Sequence, residues 1–212
     1  MHNKGILAVV SGFSGSGKGT LMKKLIGKYE EMYSLSISVT TRAPRKSEAH
    51  KRDYYFIDKD QFEKMIAKNE LIEYARYVGN YYGTPRKFVE DKLAEGKDVI
   101  LEIDMQGALK VKEKYPDALL LFVTPPSAKS LQERLRARGT ESEEAIASRM
   151  RQAIVEAEEM NKYDYIIIND VLEDCVEQMH DIVQVEKLRV FRNNLFLDNI
   201  KVDLKGNLKG DS

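Results

Sequence analysis

Short apolar runs alternate with segments of helical periodicity along most of this chain. The runs have the length and β-branched content of buried strands, and apolar residues recur at helical spacing in the segments between them. The predicted strands are 6–10, 36–40, 99–103, 119–123 and 165–168, and the predicted helices are 18–32, 88–95, 107–114, 127–138 and 141–160. Strands that alternate with helices favour an α/β fold, in which helices cover both faces of a parallel sheet.

A glycine-rich stretch separates the first strand from the first helix. Its residues are Gly12, Phe13, Ser14, Gly15, Ser16, Gly17, Lys18, Gly19 and Thr20. Glycines let the backbone turn tightly around an anion, and the helix that begins near Lys18 directs the positive end of its dipole to the same place. The stretch therefore predicts a phosphate-binding loop whose lysine reaches the outer phosphates of a nucleotide; a flexible connector is the alternative.

The residue after Lys18 departs from the usual pattern of such loops. A Ser or Thr that binds Mg²⁺ normally stands there, whereas this chain has Gly19 followed by Thr20. One helical step turns a side chain by about 100°, so we expect Thr20 to contact an inner phosphate. Magnesium would then be held by phosphate oxygens, waters and a carboxylate further along, which the ion tolerates.

Two segments interrupt the alternation of strands and helices. Residues 42–84 are polar and rich in Arg and Tyr, and they predict a small inserted sheet with one helix at 61–68. Residues 127–162 are highly charged and helical, and within them Arg134 and Arg138 are four apart and share one face. Together with Arg149, and given the phosphate loop, they indicate a mobile lid that carries arginines; a solvated helix pair is the alternative.

Composition excludes several classes of protein. Lys plus Arg and Asp plus Glu both number 34, and the absence of a basic excess argues against a general nucleic-acid binder. The single cysteine permits no internal disulfide, and no signal peptide or membrane-length apolar run is present, so we expect a cytoplasmic protein. Nothing in the sequence indicates a membrane, nucleic acid or obligate protein as a partner.

Several motifs together resemble the guanylate kinase family. They are SVTTRAPR at 38–45, GNYYGT at 79–84, IDMQG at 103–107, RGTE at 138–141 and IND at 168–170. The resemblance extends from about Gly5 to about Arg192. It implies transfer of the γ-phosphate from ATP to GMP, with dGMP as a further expected acceptor, in purine nucleotide recycling.

The resemblance also implies an architecture. We expect a P-loop NTPase core with a five-stranded parallel sheet, a small mixed α/β insertion that binds GMP, and a helical lid. The core would comprise residues 1–35, 98–126 and 164–195, the GMP-binding domain 36–97, the lid 127–163 and a mobile tail 196–212.

The GMP site is assigned from the residues that match the family. Two forked guanidiniums on either side of Pro44 can grip a phosphate, and a carboxylate can accept both adjacent N–H groups of guanine. The resemblance implies that the phosphate of GMP is held by Arg42, Arg45, Tyr54 and Tyr82. It implies that the guanine is read by Ser38, Glu73, Thr84 and Glu102. For the tyrosines, packing in a core is the alternative.

The transfer site follows in the same way. Glu102 and Asp104 end a predicted strand, and a period of two puts both carboxylates on one face, where a cation is expected. The resemblance places Asp104 near Mg²⁺, through water, and places Asn169 and Asp170 at the adenine of ATP. Lys18, Arg134, Arg138 and Arg149 are the expected catalytic residues, since catalysis of phosphoryl transfer is mostly positioning and charge stabilisation.

Two other functions remain open. A kinase that acts on another nucleoside monophosphate, such as AMP, is distinguished by Glu73, because adenine lacks the paired donors. A guanylate-kinase-like binding module would serve as a scaffold and would tolerate a damaged phosphate loop, whereas the loop glycines, Lys18 and the lid arginines are all present here.

Overall fold

Strands and helices alternate along the chain as the sequence pattern predicts. The computed structural model describes residues 4–45, 48–77, 79–137, 139 and 142–209. The strands are β1 Leu7–Gly12, β2 Tyr33–Leu35, β3 Val39–Thr40, β4 Tyr55–Phe56, β5 Leu71–Tyr77, β6 Asn80–Pro85, β7 Asp98–Glu102, β8 Leu119–Thr124 and β9 Tyr165–Ile168. The helices are α1 Lys18–Lys28, α2 Lys59–Ala67, α3 Arg86–Ala94, α4 Met105–Lys114, α5 Ala128–Ala137, α6 Glu143–Ala157, α7 Leu172–Glu186 and α8 Asn194–Lys209, with short 3-10 helices at Met160–Lys162 and Val190–Asn193.

Five strands form the core sheet, in the order β2-β7-β1-β8-β9, and every neighbouring pair is parallel. In β1, Ala8 and Val10 belong to the apolar cluster under α1 and α7, whereas Leu7 and Val9 belong to the cluster under α3 and α4. A strand that is buried on both faces reads as a continuous apolar run. The predicted α/β fold with a five-stranded parallel sheet is therefore confirmed.

The insertion forms a second sheet with the strand order β4-β3-β6-β5. The β3–β4 pair is parallel, while β3–β6 and β5–β6 are antiparallel. Phe62 of α2 is fully buried against Val39 and Leu71, so this small sheet has an apolar cluster of its own. The predicted inserted sheet with one helix is present.

The segment after α1 differs from the prediction. Helix α1 ends at Lys28 rather than at 32, and of the predicted strand 36–40 only Val39–Thr40 is a strand, β3, while β2 lies just before that run at Tyr33–Leu35. Strand β2 lies at the edge of the core sheet, and Ser36 extends its pairing with a hydrogen bond to Ile100 O. The chain then crosses to β3 in the other sheet. Apolar periodicity cannot reveal such a crossing, because residues on both sides of it are strand-like.

The C-terminal third also contains more helix than expected. Helix α6 begins after Ser142, whose Oγ accepts a hydrogen bond from Ala145 N, and it ends at Ala157. Helix α7 was absent from the predicted helices, and α8 occupies most of the segment that was expected to be a mobile tail. No helix among the described residues is both long and apolar enough to span a membrane.

Candidate active site

The glycine-rich loop lies at the carboxyl end of β1, in the centre of the core sheet. Helix α1 begins at Lys18, and Gly15 (φ 97°) and Gly17 (φ 91°) adopt left-handed conformations that a side chain would strain. The Lys18 ammonium donates to the carbonyls of Gly12 and Phe13 and so curls back over the loop. A cavity of about 390 Å³ opens here. This geometry suits an anion at a helix N-terminus.

Two arginines of the predicted lid reach this loop. Arg134 Nη1 donates to Ser16 O at 3.2 Å, and Arg149 Nη1 donates to Ser14 Oγ at 2.6 Å. Helices α5 and α6, which carry them, share a buried apolar cluster with Phe13 of the loop. Arg138, the third lid arginine of the sequence prediction, lies outside the described residues.

Asn169, which the resemblance places at the adenine of ATP, lies against the phosphate loop. Its buried side-chain amide donates to Ser16 O at 2.8 Å, and its backbone carbonyl accepts from Arg134 Nη2 at 2.7 Å. The Asn169 side chain therefore braces the loop. Asp170 and Thr20 are both exposed at this edge of the sheet. The structure thus brings all three near the nucleotide-binding loop.

A second group of polar residues lies in the insertion. The Arg42 guanidinium stands 5.4 Å from the centre of the Tyr54 ring and 5.8 Å from that of Phe56. The Tyr82 ring is 6.1 Å from the Tyr54 ring, while the Arg45 side chain is 76% exposed. Aromatic faces hold Arg42 in place. The four residues predicted to grip the phosphate of GMP are thus together on one surface, with Arg45 at its rim.

Glu48 is a residue of this surface that the sequence analysis missed. Its carboxylate accepts from Arg42 Nη2 at 2.9 Å and from the backbone N–H of Arg45 at 2.8 Å. Desolvation opposes its ionisation, but these bonds outweigh that cost and hold the pKa of Glu48 below its ordinary value. Its position within six residues of both arginines was the available signal.

Glu73 is buried next to Thr84. The residue is 5% exposed, and its Oε1 accepts from Thr84 Oγ1 at 2.7 Å. Burial raises the pKa of Glu73 to about 7, against the smaller opposing effects of the Thr84 hydroxyl and of Lys110 and Lys114. Ser38 is partly buried between β2 and β3, and its carbonyl accepts from Tyr55 N. The fold therefore places predicted guanine-reading residues in and beside the insertion.

The structure corrects the expected geometry of Glu102 and Asp104. Strand β7 ends at Glu102, so the period of two does not extend to Asp104. Instead Asp104 is the N-cap of α4, and its Oδ1 accepts from Gly107 N at 2.8 Å. Aspartate is a favoured N-cap because it accepts from an unpaired helical N–H, and that local preference ends the strand early.

The two carboxylates still lie at the phosphate loop. Glu102 pairs in register with Val10 and lines the loop cavity, and the residue between the acids, Ile103, donates its N–H to Val10 O and accepts from Ser11 Oγ. Among the described residues, no group of three or more His, Cys, Asp or Glu could hold a metal. Two acids beside a phosphate site nevertheless fit Mg²⁺, which binds through one or two carboxylates, substrate phosphates and waters.

Comparisons with known proteins agree with the motifs. The family model described as guanylate kinase matches residues 4–186. The chain is 47% identical over 193 residues to the guanylate kinase of Caldanaerobacter subterraneus subsp. tengcongensis, covering 91% of this chain and 93% of the relative. It is 48% identical over 192 residues to that of Lactococcus lactis subsp. lactis, with the same coverage.

A solved structure supports the same assignment. The crystal structure of guanylate kinase from Anaplasma phagocytophilum superposes with a TM-score of 0.73 at 34% identity, covering 90% of each chain. The resemblance drawn from the motifs is thus confirmed over nearly the whole length of the protein. The chain belongs to the guanylate kinase family.

Proposed function

We propose that this protein transfers the γ-phosphate of ATP to GMP by holding the two nucleotides at opposite sides of one cleft. ATP binds with its phosphates in the loop between β1 and α1, and GMP binds to the insertion. In the division proposed from the sequence, the core thus binds ATP and the insertion binds GMP, while the lid carries arginines. Glu102 lies between the two halves: it lines the loop cavity, and its negative charge adds to the effect of burial in raising the pKa of Tyr54.

The observation that carries this proposal is the buried Glu73. Its one hydrogen-bond partner among the described residues is the hydroxyl of Thr84, and no basic side chain neutralises it directly. A buried carboxylate without such a partner is costly. The paired N–H groups of guanine supply what it lacks, whereas adenine offers no such pair. GMP, and dGMP with the same base, are therefore the proposed acceptors.

The remaining residues position phosphates and stabilise charge. Arg42, with Arg45, Tyr54 and Tyr82, holds the phosphate of GMP by charged hydrogen bonds. Lys18 and the lid arginines Arg134, Arg138 and Arg149 stabilise the charge that develops during transfer. No general base is required, because the acceptor is already an anionic phosphate.

Mg²⁺ is the proposed cofactor. Asp104 would hold it through water, near the phosphates. When bound with ATP, the ion neutralises charge on the phosphate oxygens. Nucleotide substrates and a single cysteine, Cys175, that cannot form an internal disulfide support activity in the cytoplasm.

The test is a coupled assay of ADP release with GMP, with AMP and without an acceptor. We expect rapid release with GMP alone. Lys18→Ala should lower turnover by roughly 10²- to 10³-fold, the usual loss for one electrostatic contact to the transition state. Equal rates with AMP, acceptor-independent release, or a folded Lys18→Ala variant within twofold of wild type would each contradict the proposal.

A further inference from the structure

Gly19 leaves the phosphate loop without one of its usual metal ligands. In loops of this kind the residue after the lysine is a Ser or Thr whose hydroxyl binds Mg²⁺. Here α1 carries Lys18 and then glycine, with φ outside the left-handed region. The backbone therefore does not require glycine at this position, and the missing hydroxyl must be accounted for by another group.

The space that a side chain at 19 would occupy borders on Glu102. A Cβ built on Gly19 would lie 3.8 Å from Glu102 Oε1, and among the described residues outside α1 that oxygen is the single neighbour within 4 Å. The register of β7 with β1 fixes this approach, because Glu102 pairs with Val10 two residues before the loop begins. Among the residues that line the loop cavity, Glu102 is the acidic one.

The surroundings of Glu102 favour a cation. The Glu102 side chain is exposed to the cleft and lines the loop cavity, so a ligand bound there can reach it. Lys18 itself bends back to the carbonyls of Gly12 and Phe13. Bound phosphates would add negative charge next to this carboxylate, and a cation between the two would offset their repulsion.

We propose that Glu102 takes the place of the absent loop hydroxyl and turns its carboxylate toward the Mg²⁺ that accompanies ATP. This inference rests on the proposed function, since it concerns the metal of that reaction. It assigns Glu102 primarily to the ATP side of the cleft, while Glu73 and Thr84 read the guanine. A glutamate reaches one methylene further than an aspartate, and that length suits a group that must span the gap left by Gly19.

The test measures binding rather than activity. The affinity for adenosine 5′-(β,γ-imido)triphosphate is titrated calorimetrically with Mg²⁺ and with EDTA, and the ratio of the two dissociation constants gives the coupling between metal and nucleotide. We expect Glu102→Gln to lower this coupling by roughly fivefold or more. It should also strengthen metal-free binding, because a negative charge is removed from beside the phosphates.

Matched variants separate this role from others. Glu73→Gln should leave the coupling unchanged, since its carboxyl group belongs to the guanine site. Glu156→Gln tests the other acid near Lys18 and Asp104, which lies on the lid helix α6. Gly19→Ser combined with Glu102→Gln should recover part of the coupling, because the hydroxyl returns to its usual place.

An unchanged coupling in Glu102→Gln, or a loss confined to Glu156→Gln, would overturn the inference. So would a wild-type protein whose nucleotide binding ignores Mg²⁺. Because the titration contains no GMP, failure of the proposed function appears separately, as a wild-type protein that does not phosphorylate GMP. A protein that phosphorylates GMP with an unchanged coupling in Glu102→Gln would refute the inference alone.

Discussion

At the scale of single residues, Glu73 is a carboxyl group that the fold keeps out of water. Thr84 donates one hydrogen bond to it, and burial keeps water from donating others. The carboxylate can therefore accept hydrogen bonds from a ligand. Glu73→Gln keeps the shape but loses the charge and one acceptor. We expect this variant to weaken the binding of GMP by about 2 kcal/mol, the scale of a charged hydrogen bond, while the binding of AMP changes much less. The measurement is the ratio of kcat/KM for GMP and AMP, and a ratio that does not fall would place guanine recognition elsewhere.

The raised pKa of Glu73 also predicts a pH dependence. The pKa is about 7 in the folded protein against an ordinary 4.5. The unfolded chain therefore ionises first, and wild type should lose stability relative to Glu73→Gln as the pH rises from about 4.5 to 7. The full difference is about 3 kcal/mol at 1.4 kcal/mol per unit. Urea titrations of both proteins across this range provide the check, and parallel stability curves would show that Glu73 ionises normally.

At the scale of elements, α5 presents two arginines in opposite settings. Arg134 bonds to the loop and to Asn169, whereas Arg136 pairs with Glu143 at the surface. Arg134→Met should lower kcat by roughly 10²-fold, since it removes a positive charge that stabilises the phosphoryl group during transfer. Arg136→Met should stay within about twofold, because exposed ion pairs contribute little. Equal effects of the two substitutions on kcat would remove Arg134 from catalysis.

The turn that leads into β4 carries backbone strain. Lys51 has a φ of 69°, a left-handed conformation that costs a residue with a Cβ about 1–2 kcal/mol. Lys51→Gly should therefore raise the free energy of unfolding by about 1 kcal/mol. This net gain is what remains once the greater entropy of glycine in the unfolded chain is subtracted from the relief of strain.

Asn69 offers the matched control for this change. It has a φ of 55°, but asparagine tolerates that conformation and its Oδ1 accepts from Arg86 Nη2. Asn69→Gly should give no gain. A larger gain for Asn69→Gly than for Lys51→Gly in urea denaturation would contradict the strain argument.

At the scale of the whole molecule, α8 contributes a largely exposed apolar surface. It packs against the 3-10 helix Val190–Asn193, and Leu195, Phe196, Val202 and Leu204 are each more than half exposed. The family model ends earlier, at residue 186. Truncation after Asn193 should therefore leave kcat, both KM values and the free energy of unfolding almost unchanged, within about 0.5 kcal/mol. A truncated protein that loses activity or unfolds would show that α8 supports the core.

Local chemistry within a few residues determined much of this protein. The apolar run before Gly12, the glycines of the loop and Lys18 predicted strand, turn and helix, and the structure contains them in that order. The β-branched runs predicted a parallel sheet because both faces of such strands are buried. These features depend on side-chain size and backbone freedom, which are properties of each residue type and can be read from the sequence.

Tertiary structure decided which distant groups meet. Asn169 braces Ser16, 153 residues away, and Glu102 borders the space beside Gly19 because β7 pairs with β1. Asp104 belongs to a helix cap although the strand pattern extended through it. Periodicity reports the burial of a residue within its own element, but the order of strands in the sheet sets these contacts, and that order arises only when the separate elements bury their apolar faces against one another.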